Sequence, residues 1–347
     1  MSSAVVQQSS AEWPERLPSV SYVLPLRLDC PADEELTAYL RWLSQRLEVV
    51  VADGSPAAVF DQHRDAWRSF VTHLPVKSTR LNGKVAGVID GLAVAAGDLA
   101  VIADDDVRYD DETLRRLVAQ LHSADAVVPQ NYFDPLPWHA RWDTARSLLN
   151  RAVAADYAGT VAIRRSSLPA GEYCGAVLFE NLELLRTVSA SGGRVSHDRS
   201  LFVRRQPPSA SHFVRQRVRQ AYDSFAQPGR QVVELAVLPL TFQAALRPGG
   251  RRTVAAACLA LIAAAEAGRR REGGVRVFPS TAALWAPLWV AERAVCSWAA
   301  VAWRLRGGVP YAGRRLKVAA HRERDLAGSG CPVRECHCHQ TAGAATT

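Results

Sequence analysis

Short apolar runs alternate with amphipathic stretches in the first part of the chain. Apolar residues recur at helical spacing over 33–46, 61–70, 84–96 and 111–121, which predicts four helices. Strands that alternate with helices are typical of a mostly parallel sheet with helices on both faces, so we predict an α/β fold. The runs predicted to be strands are SVSYVLPL from Ser19, LEVVVADG from Leu47, DLAVIADDD from Asp98 and DAVVPQ from Asp125.

Acidic residues follow two of these predicted strands. Asp53 comes after the second strand, and the run Asp104 to Asp106 comes after the third. Ligands of open α/β sheets bind beyond the carboxyl ends of the strands. Several carboxylates at the end of a buried strand are costly unless something binds them, and a hard divalent ion is the usual partner. The run therefore predicts a Mg²⁺ or Mn²⁺ site, with capping of the next helix as the alternative.

The pattern changes after about Gln231, where long Ala, Leu, Val and Trp stretches are interrupted by arginine clusters. The apolar run 254–265 is too short to span a bilayer. The run 281–303 is long enough, but Glu292 and Arg293 in its middle would cost about 5 kcal/mol on insertion. We therefore predict helices that lie on or dip into a membrane surface, with their tryptophans at the interface. A buried helical subdomain is the alternative.

Four segments follow from these patterns. They are a flexible leader over 1–18, an α/β domain over 19–230, a helical membrane-contacting region over 231–325 and a flexible tail over 326–347. The seven cysteines are scattered and odd in number, and no secretory signal is recognised, which favours reduced thiols in the cytosol. The tail segment CPVRECHCHQ has zinc-type donors, but adjacent ligands would strain a tetrahedral site.

Charge is distributed unevenly along the chain. Residues 201–347 contain 22 Lys and Arg against 8 Asp and Glu, whereas residues 1–200 contain 20 against 26. An acidic first part suits a divalent cation, and a basic second part suits anionic lipid or phosphates. The arginines are spread among apolar stretches without a recognised nucleic-acid-binding module, so we expect no nucleic-acid partner.

Two further motifs accompany the acidic runs. A Gly-Ser turn follows Asp53, and the segment NGKVAGVIDGLAVAAGD places Lys84 at the start of a helix rich in small residues. With a first strand that ends near Pro25 and with the Asp-x-Asp pattern, this set resembles the family-2 glycosyltransferases of the GT-A fold, of the membrane-associated bacterial type. The resemblance implies that Pro25, Asp53, Lys84 and Asp104 bind the donor, expected to be a UDP-sugar, and that Asp106 binds the metal. The family often has an acid where Ala52 stands.

The segment LFENLELLRTVSASGG resembles the acceptor region of that family. Glu180 matches the first acid of the family's pair, and Asn181 replaces the aspartate that serves as general base. Because asparagine cannot accept a proton at neutral pH, Glu180 is the predicted base. Two alternatives are that Glu180 and Asn181 contact the acceptor without proton transfer, and that they complement the helix dipole.

A basic segment further on, HFVRQRVRQAYDSF, resembles the family motif that lies along the acceptor and the diphosphate. Gln216, Arg217 and Arg219 match it, and Gln220 stands where the family has tryptophan. The loss of that aromatic platform argues against a processive polysaccharide synthase. The alternative for this segment is an amphipathic helix on lipid. His197 is either a metal ligand or a surface histidine.

These features together predict an enzyme that transfers a sugar from a nucleotide sugar to a hydroxyl of a lipid or glycan. The metal and Lys84 would neutralise the departing diphosphate, and direct displacement would invert the anomeric centre. We expect the enzyme at the cytoplasmic face of the cell membrane. One alternative is a catalytically silent scaffold with the same fold, and another is a sugar nucleotidyltransferase, although LPLRLDCPAD lacks the glycines expected after its first strand.

Overall fold

An eight-stranded sheet forms the centre of the computed structural model, which describes Leu17 and residues 19–157 and 159–328. The strand order is β3-β2-β1-β4-β7-β6-β8-β5, in which β7 and β5 run antiparallel to their neighbours and the others run parallel. The strands are β1 Val20–Leu26, β2 Glu48–Asp53, β3 Thr72–Pro75, β4 Leu99–Ala103, β5 Val107–Arg108, β6 Ala126–Phe133, β7 Thr160–Arg164 and β8 Val195–Arg205, with a separate hairpin of β9 Val309–Tyr311 and β10 Arg314–Leu316.

Helices cover both faces of this sheet, as predicted. Alternate side chains of β1 point to opposite faces. Leu24 packs with α1 and α4 on one face, and Val23 packs with α3 and α6 on the other. The helices are α1 Glu34–Ser44, α2 Ala57–Trp67, α3 Gly83–Val94, α4 Asp111–Gln120, α5 Trp138–Val153, α6 Glu180–Ala190, α7 Ala210–Tyr222, α8 Pro228–Ala245, α9 Gly250–Arg270, α10 Ala286–Leu305 and α11 Glu323–Gly328.

Two differences from the sequence prediction concern the elements that follow β2. The helix expected over 61–70 begins at Ala57, because Asp53 accepts a hydrogen bond from the Ser55 backbone and turns the chain directly into Pro56 and the helix. Strand β3 was not predicted, because its four residues lie at the edge of the sheet and show little of the apolar alternation expected of a strand.

Helix α3 lies unusually close to β1 because of its glycines. A side-chain carbon at Gly91 would lie 2.5 Å from Val23, and one at Gly87 would lie 3.0 Å from Pro25. Asn82 caps the helix by accepting a hydrogen bond from the Lys84 backbone. The close approach and the cap together place the first turn of α3, and with it Lys84, at the carboxyl edge of the sheet.

The C-terminal helices pack on the α/β part of the chain. Helix α9 contacts α5 at Gly268, where a side-chain carbon would lie 1.9 Å from the Leu148 carbonyl oxygen. Helix α10 packs against α5, α7 and α8. Trp289, expected at a membrane interface, is instead 5% exposed in the core between these helices. The predicted boundary at 230/231 falls inside α8, and the division into domains stays a prediction.

Apolar side chains nevertheless remain exposed on this helical region. Within the described residues, none of the helices combines the length and the apolar character that crossing a bilayer requires. Most of the predicted leader and tail, including the Cys and His cluster at 331–339, lies outside the described residues. The exposed apolar side chains of α8, α9 and α10 include Val232, Val233, Leu240, Phe242, Leu246, Leu259, Leu288, Val295 and Trp298.

Candidate active site

A cavity of about 370 Å³ lies where the carboxyl edge of the sheet meets α5, α7 and α10. The acidic turn, residues 104–106, follows β4 and forms part of the cavity wall. The first turn of α3 and the start of α6 form neighbouring parts of the wall. Of the ten side chains predicted to form the site, the cavity brings together seven. These are Lys84, Asp104, Asp106, Glu180, Asn181, Gln216 and Arg219.

The acidic turn after β4 is held by two cations rather than by a helix end. Arg205 binds Asp106 with both its Nε, 3.0 Å from Oδ1, and its Nη2, 2.6 Å from Oδ2. The same Nη2 lies 3.4 Å from Asp104 Oδ2. Helix α4 is capped by Asp110 instead, which accepts a hydrogen bond from the Thr113 backbone. The capping role considered for residues 104–106 therefore belongs to Asp110.

Lys84 joins the acidic turn to the start of α6. Its Nζ lies 2.5 Å from Asp104 Oδ1 and 2.8 Å from Glu180 Oε1. Burial alone would lower the pKa of this ammonium group, but the adjacent carboxylates of Asp104 and Glu180 raise it above its ordinary value. Lys84 is therefore a permanent positive charge between the predicted donor-binding acid and the predicted base.

Arg205 was missed by the sequence analysis. It ends β8, 99 residues from Asp106, and its guanidinium lies against the Phe133 ring. Gly159 makes room for it, because a side-chain carbon there would lie 2.5 Å from an Arg205 nitrogen. No local motif marks this arginine, so its place in the site follows only from the pairing of β8 with β6 and β5.

Carboxylates outnumber cations at this edge of the cavity. Asp104, Asp106 and Glu180 contact two cationic groups, Lys84 and Arg205, so that carboxylates exceed cations by one among these five side chains. Burial, together with the neighbouring carboxylates of Asp106 and Asp104, raises the pKa of Asp105 to about 6.

The carboxylate oxygens of Asp104 and Asp106 are donors of the type that a divalent cation such as Mg²⁺ or Mn²⁺ prefers. A further ligand-type side chain, His212, lines the same cavity and lies within electrostatic range of Asp106. His197, considered as a ligand from the sequence, is an exposed residue of β8 and does not line the cavity.

The predicted base lies at the start of α6. Glu180 contacts Lys84, and Asn181 beside it is 7% exposed and lines the cavity. Helix α6 has no side-chain cap at Phe179, so Glu180 also stands in its first turn, where its charge complements the helix dipole. The geometry thus brings Glu180 to the cavity and leaves its role as base a prediction.

Asp53 and Pro25 do not line the cavity. The Asp53 side chain is buried, and its Oδ2 accepts hydrogen bonds from His63 Nδ1 at 2.7 Å and His73 Nε2 at 3.0 Å. Burial would raise the pKa of this carboxyl, but the hydrogen bonds from His73, Ser55 and His63 hold it below its usual range. The contact of Asp53 with a nucleoside stays a prediction, and its carboxylate is already hydrogen-bonded within the chain.

Asp53 and its two histidine partners also have the spacing of a metal-binding site. Ligand atoms of Asp53, His63 and His73 lie within 4.8 Å of one another. His63 Nε2, however, accepts a hydrogen bond from the Ala32 backbone, so Nδ1 carries the proton that His63 donates to Asp53. Hydrogen bonds therefore account for the contacts of His63 and Asp53 without an ion.

Arg217 does not line the cavity either. It is 5% exposed, with Nη2 2.5 Å from Glu292 Oε2 and Nη1 3.1 Å from Asp143 Oδ1. It therefore ties α7 to α10 and α5, and the cavity gives no support to its predicted contact with acceptor or diphosphate. Glu292, which weighed against a membrane span in the sequence analysis, is the partner that this arginine requires.

Comparison with protein-family models matches residues 35–168 to the family described as Glycosyl transferase family 2. Comparison with curated protein sequences gives no match.

Three of the solved structures similar to this chain are described as follows. One is the mannosyltransferase PcManGT from Pyrobaculum calidifontis in complex with GDP-Man and Mn²⁺, with 18% identity, coverage of 82% of this chain and 88% of that chain, and a TM-score of 0.49. Another is S. aureus TarS 1-349 in complex with UDP-GlcNAc, with 15% identity, coverage of 56% and 60%, and a TM-score of 0.40. A third is mannosyl-3-phosphoglycerate synthase from Rubrobacter xylanophilus, with 17% identity, coverage of 57% and 70%, and a TM-score of 0.38.

The family match covers the strands and helices that carry Asp53, Lys84 and the acidic turn, and the sheet is the mostly parallel α/β sheet of the GT-A fold. Residues 35–168 therefore match glycosyl transferase family 2, and this match supports a glycosyltransferase enzyme.

Proposed function

We propose that this enzyme transfers a sugar from a nucleotide sugar, a UDP-sugar in the first instance, to a hydroxyl group of a lipid or glycan acceptor, with inversion at the anomeric carbon. The observation that carries the proposal is the single cavity whose wall contains Asp104, Asp106, Lys84 and Glu180 in direct or shared contact. Asp104 and Asp106 would bind a metal ion, Lys84 would bind the diphosphate, and Glu180 would act as the base. All four groups would therefore reach a donor and an acceptor bound together in this cavity.

A divalent cation is part of this proposal. Asp106 and Asp104 are the carboxylates that would hold it, with His212 as a further donor. When bound, the ion supplies charge neutralisation at the leaving nucleoside diphosphate. Arg205 occupies both oxygens of Asp106 in this structure, so its guanidinium has to share or release these oxygens when an ion binds.

The chain's own cations act on the same leaving group. Lys84 is permanently charged and reaches the cavity from the first turn of α3. Its ammonium group can therefore exchange its contact with Asp104 for a hydrogen bond to a phosphate oxygen. Arg205, once released from Asp106, offers a planar fork of donors to the same diphosphate. These fixed charges stabilise the negative charge that develops as the sugar leaves.

Glu180 is the group that we propose as general base. It contacts the same Lys84 ammonium group as Asp104, so an acceptor hydroxyl on the Glu180 side of the cavity would lie close to a donor whose diphosphate lies at Lys84 and the acidic turn. Attack from that side, with the proton passing to Glu180, displaces the nucleoside diphosphate directly and inverts the anomeric configuration.

We also propose that the helical region lies against the cytoplasmic face of the cell membrane. The support is the exposure of apolar side chains on α8 and directly after it, where Phe242 is 69% and Leu246 is 72% exposed, together with the arginine pair Arg251 and Arg252 at the start of α9. Apolar side chains flanked by arginines are typical of surfaces that contact anionic lipid.

The donor assignment predicts metal-dependent hydrolysis of a nucleotide sugar. In a panel of UDP- and GDP-sugars with Mn²⁺, the enzyme should release the nucleoside diphosphate from at least one donor, and Asp106→Ala should abolish this release because it removes a proposed ligand. Asp111→Ala serves as the control, because Asp111 lies on the outer end of α4 and binds Arg46. Full activity of Asp106→Ala would remove Asp106 from the site.

The base assignment predicts a separation of binding from transfer. Glu180→Gln should slow sugar transfer by about 100-fold while leaving the affinity for UDP in the presence of Mn²⁺ within a few-fold of wild type, because the amide keeps its size but cannot accept the proton. Glu172→Gln is the control, since Glu172 pairs with Arg80 outside the cavity. Transfer at the wild-type rate by Glu180→Gln would reject Glu180 as base.

The membrane assignment predicts loss of vesicle binding in a surface variant. Phe242→Ser combined with Leu246→Ser should weaken co-sedimentation with vesicles of phosphatidylcholine and phosphatidylglycerol by about tenfold or more, because two large apolar side chains leave the interface. Val94→Ser is the matched control, an exposed apolar residue at the end of α3 on the α/β part. Equal vesicle binding by the wild type, the double variant and Val94→Ser would contradict the placement of α8 on the membrane.

A further inference from the structure

A buried arginine on α10 faces the cavity without a partner. Arg293 is 3% exposed, and its guanidinium carbon lies 5.1 Å from the centroid of the Trp289 ring. Its Nε is buried without a hydrogen bond, and no hydrogen bond or ion pair among the described residues involves its guanidinium. A buried charge without a partner is costly, so a side chain of this kind is a candidate for binding a charged ligand.

The carboxylates near Arg293 are engaged by other side chains. Glu234 accepts hydrogen bonds from Arg230 at 2.9 Å and from Ser297 at 2.8 Å. Glu292, next to Arg293 in sequence, binds Arg217. Three of the other four cavity cations, Lys84, Arg146 and Arg205, are also paired with acids. Glu234 and Glu292 lie within electrostatic range of Arg293, but among the described residues neither forms a hydrogen bond or ion pair with it.

Two more polar groups without ion-pair partners line the same cavity. Asp223, at the end of α7, has a buried Oδ1 with no hydrogen bond. Burial, with Glu180 nearby, raises the pKa of Asp223 to about 8, so at neutral pH this carboxyl carries a proton that it can donate. Arg219, within electrostatic range of Asp223, has its guanidinium 4.7 Å from the Tyr311 ring centroid and forms no ion pair among the described residues.

We propose that Arg293, Arg219 and Asp223 bind a phosphate group carried by the acceptor, in a subsite of the cavity separate from the acidic turn. The proposal rests on the proposed transferase function, since it names the acceptor class of the same site. Two guanidinium groups and one carboxylic acid offer donors to three oxygens, and the terminal oxygens of a phosphate monoester are three in number. Phosphate binding would also remove the cost of leaving the Arg293 charge unpaired.

The subsite would fix the acceptor relative to the base. Glu180 lies in the same cavity and raises the pKa of Asp223 electrostatically, so a hydroxyl at Glu180 and a phosphate at Arg293 belong to one small molecule or headgroup. Two-point binding of this kind orients the attacking hydroxyl. The phosphate can come from a soluble phosphate ester or from a lipid phosphate.

The test measures phosphate binding to enzyme whose donor site is filled with UDP and Mn²⁺. Inorganic phosphate is the soluble probe, and phosphatidylcholine vesicles with and without phosphatidic acid are the lipid probe. Arg293→Met, which keeps the length of the side chain but not its charge, should weaken binding of at least one probe by about tenfold or more. Arg304→Met is the matched control on α10, because Arg304 is exposed and lies over Phe225 outside the cavity.

The outcomes separate the sources of phosphate. Loss of the binding that depends on phosphatidic acid assigns the subsite to a lipid phosphate, and loss of inorganic phosphate binding alone assigns it to a soluble ester. Absence of binding by the wild type, or equal binding of both probes by wild type and Arg293→Met, overturns the proposal. An equal loss of UDP affinity in Arg293→Met also overturns it, because the arginine would then belong to the donor site.

Thermal unfolding without phosphate distinguishes a ligand-binding arginine from a structural one. Because its charge is unpaired, Arg293→Met should unfold at the same temperature as wild type or higher. A clear fall in the unfolding temperature, with Arg293→Lys at the wild-type value, would make the arginine structural and overturn the subsite. Failure of both UDP and GDP to bind the wild type, with phosphate binding still dependent on Arg293, would reject the proposed function and leave the subsite standing.

Discussion

The site depends on the accumulation of carboxylates at the carboxyl edge of the sheet, where partly buried cations hold them in place. Asp104 and Asp106 follow β4 two residues apart, and repulsion between them is balanced by Lys84 from α3 and Arg205 from β8. Both cations depend on close packing, Lys84 through the glycines of α3 and Arg205 through Gly159. The balance is incomplete, since three acids, with Glu180, contact these two cations, and the proposed divalent ion would offset the remaining negative charge.

The C-terminal helices complete the cavity rather than standing apart from it. Helix α10 supplies Arg293 to the wall, and its Glu292 fixes Arg217 of α7. Glu292 and Arg293, the two charged residues that argue against a membrane span, are thus an ion-pair partner of α7 and a part of the cavity wall. Under the proposed function, the α/β part would supply the donor side and the helices part of the acceptor side, and the exposed apolar side chains on α8 would bring the acceptor side to a membrane surface.

Much of this could be predicted from local sequence. The alternation of strands and helices indicated the sheet, and the acids after β4, Lys84 and Glu180 were predicted because each stands at a strand or helix end with a recognisable motif. Arg205 could not be predicted, because its contact with Asp106 depends on how β8 joins the sheet. Arg293 was interpreted only as an obstacle to membrane insertion, because the cavity that it faces is formed by helices distant in sequence. Asp53 stands in the expected position, but its two histidine partners, on α2 and β3, were not foreseen.

The central claim, that the excess carboxylates hold a cation that binds the donor's diphosphate, is tested most directly by calorimetric titration of the wild-type enzyme with UDP and with GDP, in the presence of Mn²⁺ and again with a chelator. The account predicts that at least one nucleotide binds at least about tenfold more tightly when Mn²⁺ is present, because the ion bridges phosphate and carboxylate oxygens. Equal affinity with and without the ion, or no binding of either nucleotide, would contradict it.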